Sequence, residues 1–443
     1  MATVMARPES KSSAPRRRNK LAYWALLMFS FIYFARPEDF IPGLDYLPVG
    51  KISAGIALVA LLFSWRRRQA KMPLEIKLVL GLFFYLCLTI PFAFWRGGSY
   101  NVVINQFSKA AIAAVLISMI VSEMWELKRL LWVHAAAMAI LAVASIVARS
   151  GASLRMKALG NGIANPNDLA LSLVIAFPLC IAFLLAARSA FKKLLWTAGI
   201  VLMLYGVVAT YSRSGFVAMA ICFVICVWEF GIKGKRMLVL AAAFLFTIAS
   251  VGFAIAAPHY MLRLQTLAGG DVRGSLDKGS LDARRELLDQ SISVTLHHPI
   301  FGVGPGNFEV VTETWHVTHN TYTELSSEGG IPSLLIFLTI LGLTFRNLRG
   351  LGKAPRYKTD PELRLFNSAL WAGMWAYAVG AAFSSTAYLL YPYFMVAYVS
   401  ALYRIGYAES PSETKQPVPT IQNPRKPKNN YGKKEQQSLA WTR

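Results

Sequence analysis

The stretch Thr318 to Leu335 reads THNTYTELSSEGGIPSLL. It sets a histidine, an asparagine, two glutamates and a Gly-Gly pair directly ahead of an apolar run that continues to Phe345. Glycine and proline punctuate local structure, and the run from Ile331 is apolar enough to enter a bilayer. The stretch therefore reads as the place where a polar segment returns to a membrane.

The rest of the chain supports a membrane setting. Of 443 residues, 55% are hydrophobic and only 16% charged, and the mean hydropathy is +0.43. That is too little polar surface to cover a soluble globule of this size. Twelve apolar segments of roughly 14 to 24 residues follow one another, where about 20 span the hydrocarbon core. They are Leu21–Phe34, Leu47–Trp65, Met72–Trp95, Val102–Val121, Leu130–Val147, Leu169–Leu185, Leu194–Thr210, Phe216–Ile232, Met237–Ala256, Ile331–Phe345, Phe366–Phe383 and Leu389–Leu402. The expected fold is an all-α polytopic membrane protein with about 12 transmembrane helices.

The formal charge of +23 does not point to nucleic acid, because the basic residues are spread between apolar segments rather than gathered in a groove or a binding motif. Their spacing reports topology instead. The N-terminus, RRRQAK, ELKRL, ARSAFKK, KGKR, RNLRGLGKAPRYK and the C-terminal tail are basic and fall on alternate connections, which places them and both termini in the cytoplasm. The chain then divides into a basic tail (1–20), helices one to nine (21–256), a large outer loop with short helices (257–330), helices ten to twelve (331–405) and a second basic tail (406–443). The first apolar stretch lacks an Ala-x-Ala site and reads as a retained span. The tail from about Ser410 has the composition of a disordered segment and suits anionic lipid headgroups. Cys87, Cys180, Cys222 and Cys226 lie within spans and lack metal or disulfide spacing, and neither a metal nor a cofactor is expected.

The outer connection from Pro258 to Gly330 holds five of the six histidines, with Arg263, Arg273, Arg284 and Arg285. Long loops are translocated largely regardless of charge, so the basic content is permitted, and an anionic ligand would explain it. LDARRELLDQSISVTL (Leu281–Leu296) has helical spacing, with Leu287, Leu288, Ile292 and Leu296 on one face and Asp282 as N-cap. HHPIFGVGPGNF stops that helix; its glycines lack the lysine and the strand-turn-helix setting of a P-loop and read as a turn. At NPND, Asn167 or Asp168 is expected to cap the sixth span, with a lipid-diphosphate contact as the alternative. Arg36 pairs with Asp39 or adds to an anion site, and Arg155 and Lys157 are placed to draw in an anionic lipid.

SRSG (Ser212–Gly215), ARREL followed by HPIFGVGPGNF, and HNTYTELSSEGGIPSL, in that order and spacing, resemble the O-antigen ligase and polymerase superfamily. NPNDLA (Asn165–Ala170) and ARPEDFIPGL are similar to further segments of it. The resemblance is clearest from Asn165 to Leu335. It implies a glycosyltransferase C type membrane fold at the outer face of the bacterial inner membrane. It further implies metal-independent, inverting transfer of a glycan from undecaprenyl diphosphate to an acceptor hydroxyl. The family's outer-loop histidine falls on His319, its loop arginine on Arg284 and its span-boundary arginine on Arg213. ARREL supplies a second arginine, Arg285, so two candidates face the diphosphate, and EGG stands here where the family has ETG.

The chemistry of these residue types agrees. The planar fork of arginine pairs with phosphate oxygens, and cations at the departing diphosphate stabilise the transition state more than the ground state; Arg213 and Arg284 fit that role. A neutral imidazole takes the acceptor's proton near pH 7, which suits His319, while Glu324 or Glu328 orients it or acts as base instead. Arg285, Arg36, Asn167, Asn320 and His316 complete the candidate substrate-binding set, and His297 and His298 read as helix-end residues. The first expectation is a ligase with lipid A core as acceptor. A polymerase extending a lipid-linked glycan and a protein O-oligosaccharyltransferase are the alternatives. A transporter of the same lipid is the competing class, and it would place charge near the bilayer midplane, where these spans carry almost none.

Overall fold

In a bilayer each backbone N–H and C=O must be satisfied within its own segment, so long apolar runs fold as helices. The computed structural model describes residues 20–37, 49–65, 71–147, 165–237, 239–240, 276–314 and 316–408, and among these every regular element is helical. In chain order they are α1 (Lys20–Ala35), α2 (Val49–Trp65), α3 (Leu74–Thr89) and a short α4 (Arg96–Tyr100), which passes through a π turn into α5 (Ser108–Ile120). Next come α6 (Met124–Val147), α7 (Pro166–Ala186), α8 (Ala190–Ala209) and α9 (Arg213–Cys226). After these come α10 (Leu276–His297), the single turn α11 (Phe308–Val311), α12 (Thr321–Gly350), α13 (Pro355–Thr359), α14 (Pro361–Gly380) and α15 (Leu390–Tyr407).

Every expected span except the ninth coincides with one of these helices. Among the described residues, seven helical stretches are long and apolar enough to cross a membrane, while α1 and α2 are shorter apolar helices. The chain is a multi-pass membrane protein. Most of the ninth span, both tails, Asp39, Arg155, Lys157, His259, Arg263 and Arg273 lie outside the described residues.

Two helices occupy the centre. α7 packs against α6, α8, α9 and α14, and α15 against α5, α12 and α14; α15 is buried without a break from Leu390 to Leu402. Lipid tails are as apolar as leucine, so close packing rather than a hydrophobic drive holds such helices together. A Cβ on Gly380 of α14 would meet Leu171 Cδ1 at 2.2 Å, and one on Gly215 of α9 would meet Ala170 Cβ at 2.5 Å. Small residues thus let both neighbours close onto α7.

α12 is two helical pieces joined at Gly330, whose φ of 75° and ψ of 172° no helix contains. The break and Pro332, which has no N–H, would leave backbone groups orphaned. The glycine loop after α10 supplies them: Val303 N donates to Ser327 O (2.9 Å), Gly304 N to Glu328 O (2.8 Å), and Ile331 N turns outward to Pro299 O (2.8 Å). The loop read as a turn is therefore the collar of this kink, and it anchors the end of α10 to α12.

Two local expectations are corrected. α10 begins at Leu276, so Asp282 lies inside the helix rather than at its cap. Its buried face carries Leu287, Ser291 and Thr295, while Leu288, Ile292 and Leu296 are exposed. The reason is the partner surface: Thr295 Oγ1 meets Ser326 Oγ of α12 at 2.9 Å, which turns the hydroxyl-bearing face inward. At the start of α7 the cap is Asn165, whose side-chain oxygen accepts from Asn167 N at 3.0 Å; Asn167 and Asp168 stand in the first turn.

Candidate active site

The N-termini of α7, α9 and α12 and the loop leading into α15 meet at one end of the bundle. Ser212, the cap of α9, accepts from Gly215 N (3.1 Å) and donates to Asn167 Oδ1 of α7 (2.7 Å). Asp168 accepts from Ser384 Oγ. Thr321 Oγ1 donates to Ser384 O (2.6 Å) and accepts from Thr386 N (3.0 Å), and Glu324 Oε2 accepts from Ala387 N (3.0 Å). Each helix N-terminus carries about half a positive charge, so three converging ends favour an anion above them. The polar run FSSTAY between the eleventh and twelfth spans, which positions this loop, had no place in the sequence reading. Its three hydroxyl residues between two apolar runs were the available signal.

His319 stands one residue before α12. Asn320 is the cap, with its side-chain oxygen accepting from Tyr322 N (2.9 Å) and Thr323 N (3.3 Å), and Thr318 Oγ1 reaches Ser385 Oγ at 3.1 Å. Between these anchors His319 takes a left-handed φ of 53°, a conformation that costs an L-residue about 1–2 kcal/mol. Its imidazole is half-buried. Burial, then the charge of Arg284, then His316 hold its pKa down at about 4, so the ring is neutral at pH 7.

Arg284 reaches this histidine from α10 and is half-buried, while its neighbour Arg285 is exposed. Arg213 opens α9 directly after the Ser212 cap and is half-buried. Arg36 follows the last turn of α1, three residues after Tyr33, whose hydroxyl accepts from Leu390 N at 3.2 Å. His316 is exposed beside His319.

The remaining candidates make hydrogen bonds within the fold. Asn167 is buried beneath the start of α9, and the side-chain oxygen of Asn320 is occupied by its own helix. Glu328 accepts from Gly306 N (2.8 Å) and Phe308 N (3.3 Å), fastening the glycine loop. Neither Glu324 nor Glu328 hydrogen-bonds His319, and both carboxylates are directed at backbone donors. Among the described residues no group of three or more His, Cys, Asp and Glu side chains could hold a metal ion.

This arrangement sets a neutral imidazole beside a guanidinium at an electropositive end of a membrane bundle, which suits proton abstraction next to a phosphate ester. No curated protein matches the chain. A family model does: the one described as O-Antigen ligase matches residues 198–338, a segment that contains Arg213, Arg284 and His319. That match, over less than half of the chain, supports a place in the O-antigen ligase and polymerase superfamily.

Proposed function

We propose that the protein transfers a glycan from undecaprenyl diphosphate to an acceptor hydroxyl, with lipid A core as the acceptor. The observation that carries the reading is the pairing of His319 with Arg284. The acceptor oxygen attacks the anomeric carbon from the face opposite the diphosphate, the bond to the phosphate oxygen breaks, and configuration inverts. The acceptor's proton passes to His319, and the bond's electron pair leaves with the diphosphate. Arg284 and Arg213 stabilise the charge that develops there, and Arg36 lies at the same end to add to them.

The low pKa of His319 acquires a purpose in this scheme. Before the donor arrives, burial and then Arg284 keep the imidazole unprotonated. A diphosphate bound at Arg284 offsets that cation and makes the ring a stronger base when an acceptor is to be deprotonated. The topology that fits is twelve crossings of the bacterial inner membrane with both termini in the cytoplasm. The site then faces the periplasm, where lipid-linked glycans are consumed.

Purified protein given an undecaprenyl diphosphate-linked glycan and candidate acceptors tests the reading. His319→Ala is expected to lower transfer by about 10²–10⁴-fold, the range for a positioned acid or base, while donor binding persists. Arg284→Ala and Arg213→Ala are expected to weaken donor binding and transfer together. The acceptor that accumulates glycan separates ligase from polymerase and from protein glycosylation. Lipid movement without transfer, unchanged in these variants, would replace the enzyme reading with a transporter.

A further inference from the structure

α10 carries a surface that the transferase reading does not use. Leu288, Ile292 and Leu296, with Ile300 just beyond the helix end, are 36%, 47%, 70% and 60% exposed. Their spacing of four aligns them in one stripe beside the face that packs on α12. The far side of the helix is polar, with Glu286, Ser293 and His297 exposed.

The neighbourhood indicates what covers the stripe. Tyr85 Oη donates to the Ile300 carbonyl, Phe92 stacks on Phe301 at 4.4 Å, Phe94 meets His298 edge-on at 5.9 Å, and Phe94 N donates to Val303 O at 3.1 Å. Tyr85 lies a full turn inside α3, within the membrane-crossing stretch Leu74–Phe92. Ile300 is thus level with bilayer residues rather than above them. Leu88 and Phe92 on that stretch and Ile331 and Leu335 on α12 are exposed, so the stripe continues an apolar belt whose solvent is lipid.

We propose that α10 lies in the membrane interface at this end of the bundle, with Leu288, Ile292, Leu296 and Ile300 seated in the acyl boundary of the leaflet. Amphipathic helices with one apolar face and a charged opposite face take this position. The two adjacent arginines then serve different partners. Arg285 stands seven residues before Ile292, on the stripe side, and extends to lipid phosphates as interfacial arginines do. Arg284 is turned by one residue towards α12 and His319. The inference concerns the seat of the protein in its bilayer and holds whether or not a glycan is transferred.

The test uses the full chain with Cys87→Ser, the other native cysteines being buried, reconstituted in phosphatidylethanolamine and phosphatidylglycerol vesicles. Single substitutions Leu288→Cys, Ile292→Cys and Leu296→Cys are labelled with an environment-sensitive fluorophore and compared with Glu286→Cys and Ser293→Cys. All five positions are exposed, so each variant is expected to fold, which its unfolding midpoint checks. Labels on the stripe are expected to emit at shorter wavelength and to be quenched several-fold more by nitroxides on the upper acyl chain than labels at 286 and 293. Equal quenching on both faces, or water-like emission from the stripe, would overturn the proposal. So would a blue-shifted stripe that lipid nitroxides do not reach, which would mean that protein covers it, whether the chain before α10 or a second copy.

Discussion

Replacing Gly330 with alanine probes the joint on which the site depends. At φ 75° and ψ 172° the backbone occupies a region essentially reserved for glycine, at a cost to other residues of about 1–3 kcal/mol. A Cβ there would stand 1.9 Å from Ile300 O and 2.9 Å from Pro299 O. Both are backbone atoms, so no rotamer change relieves the contact and the glycine loop must move. Moving it strains the hydrogen bonds of Ile331 N to Pro299 O, Val303 N to Ser327 O and Gly304 N to Glu328 O, each worth about 1 kcal/mol net. The expected loss is about 4–6 kcal/mol, against total stabilities of about 5–15 kcal/mol for folded proteins.

Gly342, on the same helix, is the control, because a Cβ there meets nothing within 4 Å. Gly342→Ala is expected to stabilise by up to about 1 kcal/mol through helix propensity. Tryptophan fluorescence during thermal unfolding in detergent measures both variants. Gly330→Ala should melt well below wild type and lose transfer activity, since the same loop anchors α10 and Arg284. A Gly330→Ala protein as stable as Gly342→Ala would refute the assignment of the loop as the collar of the kink.

Two further outcomes follow from the site. The kcat/KM profile reports the free enzyme, so any acid limb due to His319 should lie near pH 4, where burial and Arg284 have put its pKa, and not at the ordinary 6.5; the limb of kcat should lie higher, because the bound diphosphate offsets Arg284. A kcat/KM limb at 6.5 that disappears in His319→Gln would contradict the placement of the ring. Asn320→Ala should lower stability by about 1 kcal/mol, the usual worth of a cap; Asn320→Asp keeps an acceptor for Tyr322 N and Thr323 N and should melt near wild type.

The membrane elements were legible because lipid imposes one demand, a helix of sufficient apolar length, and that demand can be read residue by residue. The pairing of Arg284 with His319 was legible too, through motifs that keep their order over a long interval. Features decided by a partner surface were not. Periodicity grouped Leu287, Leu288, Ile292 and Leu296 on one face without saying what that face meets; the structure buries Leu287 with Ser291 and Thr295, and Thr295 meets the Ser326 hydroxyl of α12. Glu324 and Glu328 looked like companions for the histidine because they follow it on one helix. Their true partners, Ala387 N and Gly306 N, are distant in sequence, and backbone donors leave no compositional mark. At NPND the reading weighed Asn167 and Asp168 as the cap, and the structure uses Asn165 instead.

The strain at His319 and the break at Gly330 belong to one device. In a continuous helix through residues 321–350, Ile331 N–H would pair with Ser327 O, taking the carbonyl that Val303 N now uses and leaving Pro299 O without its donor. Such a helix would also release the anchor that holds α10 against α12. With the break, the first piece of α12 is fixed on both sides, by Glu328 to the glycine loop and by Thr321 and Glu324 to the loop before α15. The cap at Asn320 can then hold its neighbour in a left-handed turn, because the structure around it resists relaxation. The result is an imidazole placed by backbone geometry rather than by a carboxylate partner. Its protonation is consequently set by burial and then by the charge of Arg284, and so responds to whatever anion that arginine binds.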